Sequence, residues 1–217
     1  MSTPQCKLDP LQFAYQAGRG VEDAKLFILD TIYKHLERSH TYARLLFADF
    51  SSAFNTMQPV VSARKLKANF HLADQLILWI VDFLTNRPQK VFVNNRFSDV
   101  ITTCTGSPKG CFLSPLLFIL YTDDYRSKYE DSFLVKFSDD TALLSLCSDD
   151  KQDHGPVPTE FVDWCDDTFL ELNVEKTKEM VIDFGGIRVL SATASFMVKM
   201  LTLCILTNSW VLFLMIN

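Results

Sequence analysis

Three aspartates stand where carboxylates are costly. Asp49 closes an apolar run, Ala43 to Phe50 (ARLLFADF), and Asp139-Asp140 interrupt another, Phe133 to Cys147. A carboxylate beside a hydrophobic core is unfavourable unless it is paired or hydrated. If the three converge, they repel one another and titrate as a coupled set. Divalent metal is the simplest remedy: Mg2+, with Mn2+ as a substitute, takes carboxylate oxygens and keeps waters that a phosphate-bearing substrate can displace. Two such ions about 3.5–4 Å apart stabilise both the attacking and the leaving oxygen of a phosphoryl displacement. The plain alternative is a solvated acidic pair on an exposed turn. That alternative is the reading for Asp123-Asp124, Asp149-Asp150 and Asp166-Asp167, which fall on helix surfaces or in loops. For Asp139-Asp140 spacing alone leaves both readings open.

The elements that must position these residues follow from periodicity. Val21 to Arg38 carries apolar residues at helical spacing. Ala43 to Phe50 reads as a buried strand that delivers Asp49 to its end. Helices are predicted from about Val60 to Ala68 and from Asp74, as N-cap, to Thr85, the second stopped by Asn86-Arg87-Pro88. Lys90 to Val93 and Phe97 to Thr103 read as two strands joined at Asn94-Asn95, a hairpin signal. Gly106 to Gly110 is a breaker loop leading into a helix with Ser114 as N-cap and Pro115 at its first position. Phe133 to Cys147 reads as strand, tight turn and strand, with Ser138-Asp139-Asp140 in the turn. A Gly-Pro loop, Gly155 to Pro158, precedes a helix from Thr159 to Leu172 with Phe161, Trp164, Cys165 and Phe169 inward. Glu179 to Phe184 is a last short strand. Helices interleaved with hairpins predict an α+β fold, helices packed on a mainly antiparallel sheet.

Composition bounds the reading. With 217 residues, 48% of them apolar, the chain can bury one substantial core or two small ones. Its net charge of -5 is awkward for a nucleic-acid binder, since affinity for the phosphate backbone comes largely from Lys and Arg. Cations concentrate locally, however: Arg64, Lys65, Lys67, Arg87, Lys90, Arg96 and Lys109 face only Asp74, Asp82 and Asp99. The six cysteines show no CxxC and no metal-ligand spacing, so they read as small buried hydrophobes in a reducing compartment. MSTPQCKLDP has no apolar stretch of the signal-peptide kind, which points to an intracellular chain, in cytoplasm or nucleus. The segment 195–217 is almost free of charge and about as long as a membrane span, but Thr202, Thr207, Asn208 and Ser209 interrupt it. It reads either as a membrane helix or as sequence foreign to the domain.

At these residues the chain resembles the reverse transcriptases of non-LTR (LINE-like) retrotransposons. LLFADFSSAFNTM (Leu45 to Met57) is similar to the first catalytic motif of the palm, and GSPKGCFLSPLLFILYTDD (Gly106 to Asp124) to the Gly-rich loop and its helix. KFSDDTALL (Lys136 to Leu144) is similar to the catalytic hairpin, and LNVEKTKEM (Leu172 to Met180) to the later lysine-bearing motif. Together, in this order, the four are far more specific than any one alone. The resemblance implies a palm fold with part of the fingers and no thumb over residues 8–184, with 185–217 an unrelated hydrophobic tail. It implies an RNA-directed DNA polymerase working on an RNA template, a DNA primer and deoxynucleotides. Asp49, Asp139 and Asp140 would ligate two Mg2+, together with the carbonyl of Phe50. Phe54 would sit under the incoming sugar and exclude a 2′-hydroxyl, Gly110 would let the backbone approach the nucleotide, and Lys176 would face the leaving pyrophosphate. An ordinary core aromatic and a solvated surface lysine are the plain readings of Phe54 and Lys176.

Departures from the family pattern shape the expectation. Lys109 stands where glutamine is usual beside the nucleotide, and Ser138 replaces the commoner alanine. The basic fingers segment expected before Leu8 and the thumb expected after Phe184 are not recognisable. The chain as written is therefore expected to be a polymerase fragment of little or no activity. A catalytically dead remnant and a small protein anchored to membrane through 195–217 are the alternatives.

Overall fold

The computed structural model describes residues 8–148 and 156–183. In chain order the elements are α1 (Val21–Leu36), β1 (Thr41–Ala48), α2 (Ala53–Thr56), α3 (Pro59–Phe70), α4 (Asp74–Leu84), β2 (Arg87–Gln89) and β3 (Phe92–Val93). There follow β4 (Arg96–Phe97), β5 (Ile101–Thr103), α5 (Leu113–Tyr121), β6 (Ser132–Phe137), β7 (Asp140–Ser148), α6 (Pro156–Asp167) and β8 (Lys178–Asp183). They divide between two compact units. One gathers Met1–Asp9, Ser51–Tyr125 and Trp164–Glu171; the other Pro10–Phe50, Arg126–Asp163 and Leu172–Asn217.

The second unit is built on a four-stranded sheet of order β6-β7-β1-β8, in which every neighbouring pair is antiparallel. Strand alternation puts Ala43, Leu45 and Phe47 on one face, where their cross-strand neighbours Ala142 and Leu144 join them. Helix α1 lays Ala24, Ile28 and Ile32, four residues apart, on that face and closes a core with Phe13, Val135 and Ile182. The helix begins at Gly20, whose N–H donates to Asp23 Oδ2 at 2.6 Å, satisfying one of the orphan donors of its first turn. The palm-like α+β architecture expected from the sequence is present.

The first unit is mainly helical. α3 buries Val61 and Leu66, α4 buries Ile77, Ile80 and Leu84, and α5 buries Leu117, Phe118, Ile119 and Tyr121. Between α4 and α5 runs a ribbon of β2 with β5 that carries the β3–β4 hairpin. Asn94 and Asn95 at its tip have φ of 49° and 60°, the pair of left-handed residues that a type I′ turn requires. Phe92 and Phe97 pair directly across the hairpin and remain 55% and 70% exposed.

Several expectations are corrected. Asp74 is the first residue of α4 and Ala73 its N-cap; the carboxylate serves the positive end of the helix without capping it. Ser114 lies within α5, whose N-cap is Phe112, and its hydroxyl donates to the Pro108 carbonyl at 2.6 Å. Asp140 is the first residue of β7, so the turn contains Ser138 and Asp139 alone. α4 ends at Leu84 with Thr85 as its C-cap, just before Asn86-Arg87-Pro88 as expected, although Arg87 and Pro88 go on into β2; α2 was not read from sequence. Phe161 and Cys165 are buried as expected, but Phe169 is 55% exposed. Cys104 is exposed. Asp123 is no solvated surface charge: it is 5% exposed and accepts the Asp9 N–H at 2.7 Å. The segment 185–217, Asp149-Asp150 and Gly155 lie outside the described residues, whereas Pro156 to Pro158, expected as loop, form the first turn of α6. Among the described residues no helix is long and apolar enough to cross a membrane.

Lys65 illustrates why charge counts mislead. Only 4% exposed, it donates to the Tyr121 carbonyl and to Asp124 Oδ1, both at 2.7 Å, over the rings of Tyr121 and Trp164. The same carboxylate oxygen accepts Trp164 Nε1 at 3.2 Å. Arg87 is likewise engaged, its Nη2 donating to the carbonyls of Thr105 and Gly106 at 2.5 and 2.9 Å.

Gly106 locks the loop that follows β5. Its φ is +69°, and an added Cβ would meet the Asn55 Cα at 2.6 Å and the Phe54 carbonyl oxygen at 2.7 Å. These are backbone atoms, so nothing flexible can yield. Gly106→Ala is expected to destabilise the protein by roughly 2–4 kcal/mol, read as a lowered midpoint in urea denaturation. An unchanged midpoint would contradict the close approach.

Candidate catalytic site

Asp49 stands one residue beyond the end of β1, and Asp140 is the first residue of β7. Their strands pair Ala48 with Thr141, and the same register continued one step sets Asp49 opposite Asp140. Like charges directly opposed on neighbouring strands are destabilising. Asp139 shares a two-residue turn with Ser138, closed by the Phe137–Asp140 pair. Ser138 takes the left-handed conformation, φ 61°, that such a turn demands.

Asp139 is exposed, whereas Asp49 and Asp140 are half-buried. The Asp140 carboxyl is pushed up from 3.8 to about 6, first by burial and then by the charges of Asp139 and Asp49. Asp140 therefore feels both of the other carboxylates. Asp49 and Asp140 thus stand at neighbouring strand ends, with Asp139 in the adjoining turn.

Lys176 joins them. The β1–β8 ladder runs to Phe47–Lys178 and then gives way to a turn, in which the Asn173 carbonyl accepts the N–H groups of Lys176 at 3.2 Å and Thr177 at 2.8 Å. This turn brings the Lys176 ammonium to 3.7 Å from Asp49 Oδ2. The lysine is exposed, and an exposed pair of this kind contributes little stability. Phe50 is buried, forms an isolated antiparallel bridge with Leu172, and sets its ring 6.5 Å from that of Phe161. The flanking bonds run from Ser51 N–H to the Glu171 carbonyl and from Asn173 N–H to the Asp49 carbonyl, so neither uses the Phe50 carbonyl.

Phe54, Lys109 and Gly110 belong to the other unit. Phe54 is half-buried with its ring 5.0 Å from that of Phe118. Lys109 and Gly110 are exposed. Gly110 has φ +78° with open space where a Cβ would stand, so backbone conformation, not crowding, is what favours glycine there.

Whether metal suits the site turns on its donors. An all-carboxylate set is what a hard divalent ion takes, and the raised Asp140 records the repulsion an ion would relieve. Among the described residues, no group of three or more His, Cys, Asp or Glu side chains is gathered closely enough to hold an ion as it stands. The donor chemistry is that of a hard divalent ion.

The repulsion has a pH signature. Because the folded-state value of Asp140 lies above the unfolded one, the native state binds more protons between about pH 4 and 6. Stability therefore falls as pH rises through that window. Asp140→Asn is expected to raise stability at pH 7 by about 1 kcal/mol, after allowing for the side chain's partial exposure, and to flatten the pH dependence. Urea denaturation at pH 4.5 and pH 7 measures this; an Asn variant less stable than the parent at pH 7 would contradict it.

Comparison with known proteins supplies the family. The sequence profile described as reverse transcriptase (RNA-dependent DNA polymerase) matches residues 2–204, a span running past Phe184. The probable RNA-directed DNA polymerase from transposon BS of Drosophila melanogaster is 24% identical over 179 residues, covering 76% of this chain and 19% of that protein. The corresponding protein from transposon X-element of the same fly is 27% identical over 148 residues, 65% of this chain and 16% of its own length. The chain thus spans under a fifth of these relatives. Among solved structures, telomerase from Candida tropicalis in complex with the TWJ fragment of telomeric RNA aligns with a TM-score of 0.58. It shares 12% identity over 83% of this chain and 32% of that one. Telomerase from Candida albicans, also with a TWJ fragment of telomeric RNA, gives 0.55 at 15% identity, over 74% and 31%. The structural likenesses show the fold, and the profile match over residues 2–204 shows that the chain belongs to the reverse transcriptase (RNA-dependent DNA polymerase) family.

Proposed function

We propose that this domain carries the nucleotidyl-transfer centre of a transposon RNA-directed DNA polymerase, built on Asp49, Asp139 and Asp140. What supports the reading is a register that opposes Asp49 and Asp140, and an Asp140 carboxyl raised by burial and by the charges of Asp139 and Asp49. In the reaction a primer 3′-oxygen forms a bond to the α-phosphorus of a deoxynucleotide, and the bond to pyrophosphate breaks. Asp49, Asp139, Asp140 and the Phe50 carbonyl would hold two divalent ions, Mg2+ or Mn2+, whose chemistry would be charge stabilisation at the attacking and leaving oxygens. Lys176, already beside Asp49, is placed in this reading to offer a cation or a proton to the departing pyrophosphate. By the family resemblance, Phe54 would limit the space under the sugar, and Lys109 and Gly110 would contact the nucleotide.

The template strand is RNA and the primer DNA. Within the first unit the β3–β4 hairpin offers chemistry that single-stranded nucleic acid takes: Phe92 and Phe97 as stacking rings, with exposed Lys90 and Arg96 beside them. Affinity is expected to be modest. The net charge is -5, Lys65 is committed to Asp124, and Lys109 replaces the usual amide. By itself the chain is proposed to extend primers poorly, which makes metal binding the more telling readout.

Mg2+ or Mn2+ at about a hundredfold excess over Kd is expected to stabilise the fold by about 2.7 kcal/mol through linkage, and Asp139→Asn to abolish most of that gain. Thermal denaturation across millimolar metal tests it. A melting temperature unmoved by metal, with the variant indistinguishable from the parent, would sink the metal-centre reading. Extension of a labelled primer on RNA, with Asp139→Ala as control, separates a weak polymerase from a dead remnant.

A further inference from the structure

The turn that carries Asp139 is held from outside its own hairpin. Gln12, only 1% exposed, precedes α1 in sequence, yet it forms a parallel bridge with Lys136 near the end of β6. Two backbone bonds bracket it: Lys136 N–H donates to the Leu11 carbonyl at 2.8 Å, and Phe13 N–H to the Lys136 carbonyl at 2.9 Å. Its own carbonyl accepts Gln16 Nε2 at 2.6 Å and Arg19 Nη1 at 3.2 Å. Arg19 in turn lies over the Phe13 ring, 4.4 Å from its centroid. The Gln12 backbone is therefore clamped on both sides.

Its side chain reaches the turn. Gln12 Oε1 accepts the Ala14 N–H at 3.0 Å and, at a longer 3.4 Å, the Ser138 N–H. With two donors aimed at it, that atom must be the oxygen, which settles which way the amide faces. In a two-residue hairpin turn the ladder bond belongs to the closing pair, here Phe137 and Asp140, so the Ser138 N–H has no ladder partner. Ser138 is also left-handed at φ 61°, a conformation that costs a non-glycine residue energy unless its surroundings impose it. Gln12 Nε2, by contrast, is buried without a hydrogen-bond partner among the described residues, a cost that the two bonds to Oε1 offset.

We propose that Gln12 is a positioning residue for the reaction: its buried amide oxygen fixes the Ser138–Asp139 turn and so the place of the Asp139 carboxylate. The proposal rests on the metal-centre reading for its functional meaning but not for its geometry. Gln12→Met keeps the side chain's length and removes its acceptor.

Amide hydrogen exchange followed residue by residue is the first readout, and Mn2+ binding by electron paramagnetic resonance the second. In the parent, Ser138 and Ala14 amides are expected to be protected. In Gln12→Met both should exchange roughly tenfold faster, about what one hydrogen bond is worth, while Val135 and Ala142 in the sheet stay slow. Mn2+ affinity should fall severalfold without a matching loss of melting temperature, a split that a merely structural residue would not produce. Ser138 exchanging in the parent as fast as an open turn overturns the proposal, and that measurement decides even if the variant fails to fold. Mn2+ held by the parent through Asp139 and held equally by Gln12→Met overturns it too. A parent that binds no Mn2+ sinks the metal-centre reading instead, and exchange at Ser138 then decides the anchor alone.

Discussion

The structure turns on an unfavourable contact. Antiparallel pairing of β1 with β7 opposes Asp49 and Asp140 at the end of the sheet, and the tight β6–β7 turn sets Asp139 beside them. Nothing local favours this: burial and like charge together push the Asp140 carboxyl to about 6. What holds the three in place is the sheet itself. A slip of one residue would relieve the repulsion, but it would also turn Leu45, Phe47, Ala142 and Leu144 away from α1. Leu45, Phe47 and Leu144 each contribute on the order of 1.5–3 kcal/mol when fully buried, together more than the charges cost. The hydrophobic face fixes the register, and the register fixes where Asp49 and Asp140 stand.

Much of this was legible in sequence because it is local. The ARLLFADF run announces a buried strand ending in a carboxylate, and the hairpin around Asp139 announces itself through two apolar runs broken once. Asn94-Asn95 identifies its turn because few residues adopt positive φ so readily. Illegible features depend on distant partners. Asp123 reads as solvated until Asp9, 114 residues away, is seen to donate to it. Ser114 has the side chain of an N-cap, yet its hydroxyl serves the Pro108 carbonyl. Gln12 carries no signal at all; only the fold shows it lying beside β6.

Charge shows the same lesson at the level of function. The cations between Arg64 and Lys109 look in sequence like a phosphate-binding stripe. In the structure Lys65 is sealed against Asp124 and Tyr121, Lys67 pairs with Asp74, and Arg87 braces the loop at Gly106. Arg64, Lys90, Arg96 and Lys109 remain exposed. Electrostatics thus divides between cations engaged within the first unit and others that can meet a polyanion.

Titration of the carboxylate carbons of Asp49, Asp139 and Asp140 by NMR, without and with Mg2+, tests the central claim most directly. Without metal the account predicts an Asp140 midpoint of about 6, shifted downward when Asp49 or Asp139 is replaced by asparagine. With millimolar Mg2+ that midpoint should fall well below its metal-free value, because the ion favours the charged form. An Asp140 that titrates as an ordinary carboxylate, or one whose midpoint ignores both its neighbours and the metal, would contradict the account.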